Sequence, residues 1–270
     1  MNSSKLKLAV QFLHDEPQAA ALKLELETPE LAAAMLLKVP NKVAANVMCC
    51  MQPLFAASMM SVLDEANIAG LLDSIDSAHT AAILRHLPTS EFARVLGLLP
   101  LKKQTLCKML ISYPDYTVGA WVETNVLILD SQMTIEDALL RLKKRRYSDE
   151  TSIYVVNHQR QVVGKMSVFD VIRRPATQIV EDVMSTQVDV IGGYTELLAA
   201  LELPIWSVLD CVAVINRKQE FIGIIHHHRL RTILQLHSTP VVANKQYLSA
   251  TLFDAYAATL ARFFDLASTK

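Results

Sequence analysis

Hydrophobic positions in the first hundred residues follow a twelve-residue period marked by Ala33, Ala45, Ala57, Ala69, Ala81 and Ala93. Three residues after each alanine stands Leu36, Met48, Met60, Leu72, Leu84 or Leu96, and six after it stands Val39, Met51, Leu63, Ile75, Leu87 or Leu99. Twelve residues make about 3.3 turns of α-helix, so an unbroken helix would swing this stripe off one face at every repeat. The pattern predicts a break in each unit. Pro29, Pro40, Pro53, Pro88 and Pro100 supply breaks, with Thr28, Asn41, Asp64, Asp76 and Thr89 as caps or turn residues. Each unit reads as about two helical turns and a corner. Helices this short are marginal alone, but stacked neighbours bury the apolar stripe and small alanines let backbones approach closely. An array of this kind serves binding or shape more readily than chemistry.

After Pro114 the period switches. Val126–Leu129 reads as a strand, Thr134–Arg145 as a helix, Ser152–Val156 and Val162–Met166 as strands, with a helix from Ser167. A second pass runs through a strand at Gln187–Ile191, a helix near Thr195–Leu203, strands at Cys211–Ile215 and Phe221–His226, and a helix near His228–Leu236. Turns at Asn157–Gln161 and Asn216–Glu220 occupy matching places, and each is followed by a strand with one glycine, Gly164 or Gly223, suited to close backbone approach or a tight bend. Tyr247–Ala267 reads as an amphipathic helix.

A chain of 270 residues, 51% hydrophobic, fills more than one core. Its formal net charge of -1 argues against a nucleic-acid partner. Cys49, Cys50, Cys107 and Cys211 have neither zinc-site spacing nor the density of a secreted scaffold, and read as reduced core thiols. His79 and His86 could share a helical face, but no third ligand has clear helical spacing. No signal-type segment and no membrane span are evident, so a soluble cytoplasmic protein is expected. Nucleophile-elbow, phosphate-loop, dinucleotide-turn and metalloprotease motifs are all missing from the sequence, which argues against an enzyme.

The segment Tyr113-Pro114-Asp115-Tyr116-Thr117-Val118-Gly119-Ala120 resembles the Tyr-Pro-acid-x-Thr-Ala-Gly junction of the MgtE family of magnesium channels and transporters, with Val118 in place of the usual alanine. Thr134-Ile135-Glu136-Asp137-Ala138-Leu139 and Val162-Val163-Gly164-Lys165-Met166-Ser167-Val168-Phe169-Asp170 are similar to that family's first cystathionine-beta-synthase-type (CBS) regulatory domain. The fold class this implies is multidomain α plus α/β: a short-helix superhelical array, a tandem CBS-domain pair and a terminal amphipathic helix. The implied limits are 1–112 for the array, 113–178 and 179–240 for the CBS domains, and 241–270 for the terminal or connecting segment. Family proteins continue into a membrane pore, whereas nothing in this sequence reads as one. The expected role is therefore a regulatory or sensor module, related to the cytosolic gate of a magnesium transporter; the alternative is a protein-binding adaptor without cation sensing.

The resemblance implies Mg2+ and/or an adenosine nucleotide (ATP, ADP or AMP) as ligands, a homodimer through the CBS pair, and a membrane transporter or other protein as partner. Ser167 and Asp170 match the Ser/Thr-x-x-Asp nucleotide motif, in which a helix amino terminus attracts phosphate and the carboxylate accepts ribose hydroxyls. Arg173 and Arg174 follow on the same segment, and the basic run Lys143, Lys144, Arg145 and Arg146 ends the preceding helix. The same four-residue motif also fits a helix capping box. The implied magnesium carboxylates are Asp64, Asp73, Asp76, Asp130, Glu136, Asp137, Glu181 and Asp182. At the matching turn of the second repeat, His226-His227-His228-Arg229 replaces the family's Thr-Val-Asp-Asp, and His237-Ser238-Thr239-Pro240 stands for an acid-rich stretch. Strand alternation would turn His226 and His228 to one side and His227 to the other.

Overall fold

The computed structural model describes residues 10–144 and 152–238. The terminal segment 241–270, Arg145 and Arg146 lie outside the described residues. The described residues divide into two compact units, one of residues 10–108 with 233–238 and the other of residues 109–144 with 152–232.

In the first unit, residues 10–15 are helical. They are followed by α1 (Pro17–Leu24), α2 (Pro29–Leu36), α3 (Asn41–Cys49), α4 (Pro53–Ser61), α5 (Glu65–Ser74), α6 (Ser77–Arg85), α7 (Thr89–Gly97) and α8 (Leu101–Ile111). Pro17, Pro29 and Pro53 occupy first-turn positions, where a missing N–H costs nothing. Packing skips one helix: α1 lies on α3, α2 on α4, α3 on α5, α4 on α6 and α5 on α7. Leu36, Met48, Met60, Leu72, Leu84 and Leu96 are all buried by it, as the period predicts. The alanine stripe itself is buried at Ala33, Ala45, Ala57 and Ala81, half-buried at Ala69 and exposed at Ala93. The register one residue earlier is fully enclosed at Ala32, Ala44, Ala56, Ile68 and Thr80, each at 0% exposure, and half-buried at Phe92.

The corners share one hydrogen-bonding device. In the Ala45 unit, Cys50 N–H donates to the Val47 carbonyl and Met51 N–H to Met48; the Ala33, Ala57, Ala81 and Ala93 units repeat this tightened pair. The α5–α6 corner departs from it, because Ile75 is extended at φ -89° and ψ 141°. There the Lys103 ammonium of α8 donates to the Leu72 and Ile75 carbonyls.

The second unit holds two copies of one topology. Strands β1 (Ile128–Asp130), β2 (Ser152–Val156) and β3 (Val162–Ser167) form the first sheet, with β1 parallel to β2 and β2 antiparallel to β3. Helices α9 (Ile135–Lys144), α10 (Val168–Arg173) and α11 (Val180–Val183) accompany it. The second sheet, β4 (Val190–Gly192), β5 (Cys211–Ile215) and β6 (Phe221–His226), repeats the same parallel and antiparallel order, with α12 (Leu197–Leu201) and α13 (His227–Ser238). Register irregularities fall at Val155/Val156 and Val214/Ile215, the matching places of the two hairpins. Arg160 (φ 62°) and Gln219 (φ 64°) take the left-handed turn position in each. The turn asparagines are equivalent too: Asn157 Oδ1 accepts from Gln161 N–H and Asn216 Oδ1 from Glu220 N–H.

The two hairpins meet. Phe221 N–H donates to the Arg160 carbonyl at 2.7 Å, the Tyr154 hydroxyl donates to the Cys211 carbonyl at 3.2 Å, and Val126, Tyr154, Val156, Ala213, Phe221 and Ile224 form one apolar cluster. The first sheet has its own core, built on Leu129, Ile135, Ala138, Ile153, Val155 and Val171. Both repeat glycines stand at close approaches. A Cβ on Gly164 would meet the Met184 side chain, and on Gly223 (φ 155°) it would lie 2.4 Å from the Glu123 carbonyl oxygen.

Candidate functional site

Ser167 ends β3 and caps α10, so the predicted nucleotide motif sits at a strand-to-helix turn. Its hydroxyl accepts from Asp170 N–H at 3.0 Å, while Asp170 Oδ2 accepts from the Ser167 hydroxyl at 2.7 Å and its N–H at 3.2 Å. This is a complete capping box. The Ser167 bonds hold the Asp170 carboxyl below the ordinary carboxylate range, with Arg174 and Arg173 adding to the effect. Asp170, Arg173 and Arg174 are exposed. The turn thus presents an ionised carboxylate beside two cations, and the carboxylate is already engaged by its own helix cap.

The predicted acids of the first repeat gather at the other end of the sheet. Residues 131–136 run beside residues 176–181 through bonds from Ile135 N–H to Gln178, Glu136 N–H to Ala176, Val180 N–H to Met133 and Glu181 N–H to Ser131. Asp130 and Asp137 line an open cleft of about 510 Å³ with Gln132, Arg141 and His158. Met133 and Leu140 form its apolar part. Asp130 accepts from Gln132 N–H at 2.9 Å, and its other oxygen lies 3.7 Å from His158 Nδ1. Asp137 accepts from the Thr134 hydroxyl at 3.0 Å, at the start of α9. Gln132 reaches across to the Glu181 carboxylate. Glu136 and Asp182 are exposed in the first turns of α9 and α11 and do not line the cleft. Sequence reading missed Arg141 and His158. Arg141 stands one helical turn after Asp137, a spacing that signals a shared face.

Two of the three array acids serve as caps. Asp64 caps α5, accepting from Asn67 N–H at 2.8 Å, and Asp76 caps α6, accepting from Ala78 and His79 N–H at 2.9 Å. Asp73 lies in the last turn of α5. Among the described residues, the close group of three metal-ligating side chains is a different one: Cys49, Asp76 and His79.

The junction segment works as a clasp within the second unit. Gly119 N–H donates to the Gly193 carbonyl at 2.7 Å, Val118 N–H to Thr195 at 2.9 Å, and Leu197 N–H to Tyr116 at 2.9 Å. The buried Tyr113 ring covers Gly119 and Gly193 and lies 4.8 Å from the Tyr194 ring. Thr117 and Trp121 side chains donate to the Pro114 and Asp115 carbonyls, which turns the Pro-Asp-Tyr-Thr stretch back on itself. In the second repeat, His226 and His228 rings are 5.2 Å apart while His227 stacks on Trp206; because β6 ends at His226 and α13 begins at His227, this separation does not arise from strand alternation. Burial, with His226 and Arg229, lowers the His228 pKa, and Glu123 opposes this.

Residues 15–116 match the MgtE intracellular N domain and residues 118–176 match the CBS domain. No curated protein matches the chain in sequence. Among solved structures, the cytosolic domain of the Mg2+ channel MgtE in complex with ATP aligns with a TM-score of 0.72 at 19% identity, covering 83% of this chain and 93% of that one. The soluble part of a magnesium transporter aligns with a TM-score of 0.59 at 17% identity, covering 87% of this chain and 99% of its own. The CBS pair domain of a putative Mg2+ transporter from Shewanella oneidensis aligns with a TM-score of 0.51 at 16% identity, covering 63% of this chain and 99% of its own. Among the described residues, no helix is long and apolar enough to cross a membrane. The chain thus contains an MgtE intracellular N domain followed by a tandem pair of CBS-fold units, the domain order of the cytosolic portion of MgtE-type magnesium transporters.

Proposed function

We propose that this protein is a regulatory module in which Mg2+ and an adenosine nucleotide (ATP, ADP or AMP) bias the balance between two domain arrangements, with no bond made or broken. The observation that carries this reading is the Ser167–Asp170 turn with Arg173 and Arg174 beside it, set in the fold of a channel domain crystallised with ATP. The Asp170 carboxylate, ionised at neutral pH, accepts the paired ribose hydroxyls, and the arginines attract phosphate oxygens. A nucleotide competes with Ser167 for that carboxylate. Calorimetry with ATP, ADP and AMP on the wild type and on Asp170→Ala tests this, and equal binding in both removes Asp170 from the contact.

For magnesium, the reading rests on the cleft carboxylates Asp130 and Asp137, with Glu136, Glu181 and Asp182 on adjoining segments and Asp64, Asp73 and Asp76 at array corners. A hydrated Mg2+ needs only one or two carboxylates. Neutralising opposed acids favours whichever arrangement brings them together. Millimolar Mg2+ should reduce the scattering radius and the protease sensitivity of the full chain; a flat response at both readouts rejects cation gating. A homodimer through the CBS-fold units accompanies this reading, supported by exposed Phe169 and Ile172 on α10 and Leu198 on α12. Sedimentation of Phe169→Glu against the wild type tests it. One observation favours a protein-binding adaptor instead: Ser167 and Asp170 already satisfy each other. Retention of one specific partner, lost on charge reversal at the array surface, would support that role.

A further inference from the structure

The α5–α6 corner that breaks the array's hydrogen-bonding pattern also gathers donors of three chemical types. Cys49 closes α3, Asp76 caps α6 and His79 lies in the first turn of α6. One donor atom from each, a thiol sulfur, a carboxylate oxygen and an imidazole nitrogen, falls within 4.8 Å of the other two. We propose that Cys49, Asp76 and His79 form a binding site for a thiophilic divalent cation of the zinc class, which shares Asp76 with the magnesium reading above and differs from it in its sulfur and nitrogen donors.

Bond lengths set the test of fit. Four-coordinate zinc holds sulfur at about 2.3 Å and nitrogen or oxygen at about 2.0–2.2 Å, which places tetrahedral donors about 3.4–3.6 Å apart. Asp76 Oδ2 and His79 Nδ1 are now 2.8 Å apart. Seating an ion opens that pair by about half an ångström and draws the other pairs, which lie within 4.8 Å, inward by no more than about one, a change within reach of side-chain torsions. Asp76 Oδ1 accepts from Ala78 and His79 N–H, so the carboxylate that would turn one oxygen to the metal is held in place by the other. Asp76 is exposed and His79 and Cys49 are half-buried, which leaves an entry path and a fourth position for water.

The donor set chooses the ion. Mg2+ requires oxygen ligands in near-octahedral geometry, whereas mixed sulfur, nitrogen and oxygen donors suit Zn2+ and Co2+. The nearby Lys103 ammonium is directed to the Leu72 and Ile75 carbonyls. Binding releases the Cys49 thiol proton to solvent as the sulfur–metal bond forms. Cys107 is spoken for elsewhere: its thiol donates toward the Ser77 carbonyl at 3.7 Å, and burial pushes its pKa up to about 11. An ion at this site would tie the end of α3 to the start of α6.

Cobalt(II) titrated into the reduced, metal-free full chain under excess Mg2+ provides the readout. The expected result is a thiolate-to-cobalt charge-transfer band in the near ultraviolet, with visible ligand-field bands of a four-coordinate ion, all displaced by Zn2+. Cys49→Ser should abolish the charge-transfer band, and His79→Gln and Asp76→Asn, which retain shape and capping, should each weaken Co2+ binding by about tenfold or more. Cys50→Ser and Cys107→Ser should keep the band. Circular dichroism of each variant confirms that a lost band reflects a lost ligand. A wild type without the band, a band that survives Cys49→Ser, or unchanged Co2+ affinity in folded His79→Gln overturns the proposal.

Discussion

Replacing Gly119 by alanine isolates what the junction segment does. A Cβ there would lie 2.4 Å from Tyr113 Cδ1 and 2.7 Å from its Cε1 and Cγ, against the ordinary carbon contact of about 3.5–4.0 Å. The ring has little room to retreat, because Cε1 is already 2.9 Å from where a Cβ on Gly193 would stand and the Tyr194 ring lies behind at 4.8 Å. Partial relaxation puts the cost near the usual overpacking range of about 1–3 kcal/mol. Full ejection of the buried ring bounds it at about 3–5 kcal/mol. Gly119 is not at positive φ, so with the ring removed the same substitution should stabilise by about 0.4–1 kcal/mol through the unfolded chain. The sign of Gly119→Ala should therefore invert in a Tyr113→Ala background. Urea unfolding of the four-member cycle, followed by Trp121 emission, measures it. A neutral Gly119→Ala in the wild type, or an equal cost in both backgrounds, refutes the clasp.

Gly223→Ala should cost about 2–5 kcal/mol, because it adds a left-handed residue to a clash with the Glu123 carbonyl, and Gly164→Ala should cost less, because its first obstacle is the flexible Met184 side chain; urea midpoints rank the two. Asp64→Ala should cost about 0.5–2 kcal/mol through the lost α5 cap, while Asp64→Asn keeps most of the stability, and equal losses would deny the cap its role. For His228, whose folded pKa is lowered, the unfolded state binds more protons between the folded value and about 6.5, so its stabilising contribution is complete above about pH 6.5 and fades as pH falls through the folded pKa. His228→Gln should flatten that part of the urea-midpoint profile, and an unchanged acid slope refutes the assignment.

The fold was legible where period and punctuation agree. Cys211–Ile215, Phe221–His226 and Ser152–Val156 are strands at the predicted limits, because continuous apolar runs end at turn asparagines that bond their own strands. β1 and β4 shifted toward their carboxyl ends, to Ile128–Asp130 and Val190–Gly192. Their register is set by parallel pairing to β2 and β5, which local pattern does not encode. The alanine stripe marks the repeat, but its burial is uneven: Ala69 and Ala93 are not fully buried, whereas Ile68 and Thr80 are. Equivalent positions differ in burial because α7 carries Ala93 near the end of the skip-one packing, with fewer array helices left to cover it.

The same skip-one packing explains why the Cys49–Asp76–His79 group escaped sequence reading. A search for ligand spacing looks within a helix, where His79 pairs naturally with His86, or within a CxxC-type turn, where Cys49 beside Cys50 has the wrong geometry. Here α3 lies on α5, so the carboxyl end of one repeat meets the corner two repeats later. In a twelve-residue array, ligands therefore converge at spacings fixed by the stacking rule rather than by helical period. At the Ile75 corner the carbonyls turn to Lys103, the Asp76 cap carboxylate turns to His79, and donors from α3 and α6 meet where the other corners close on their own backbone.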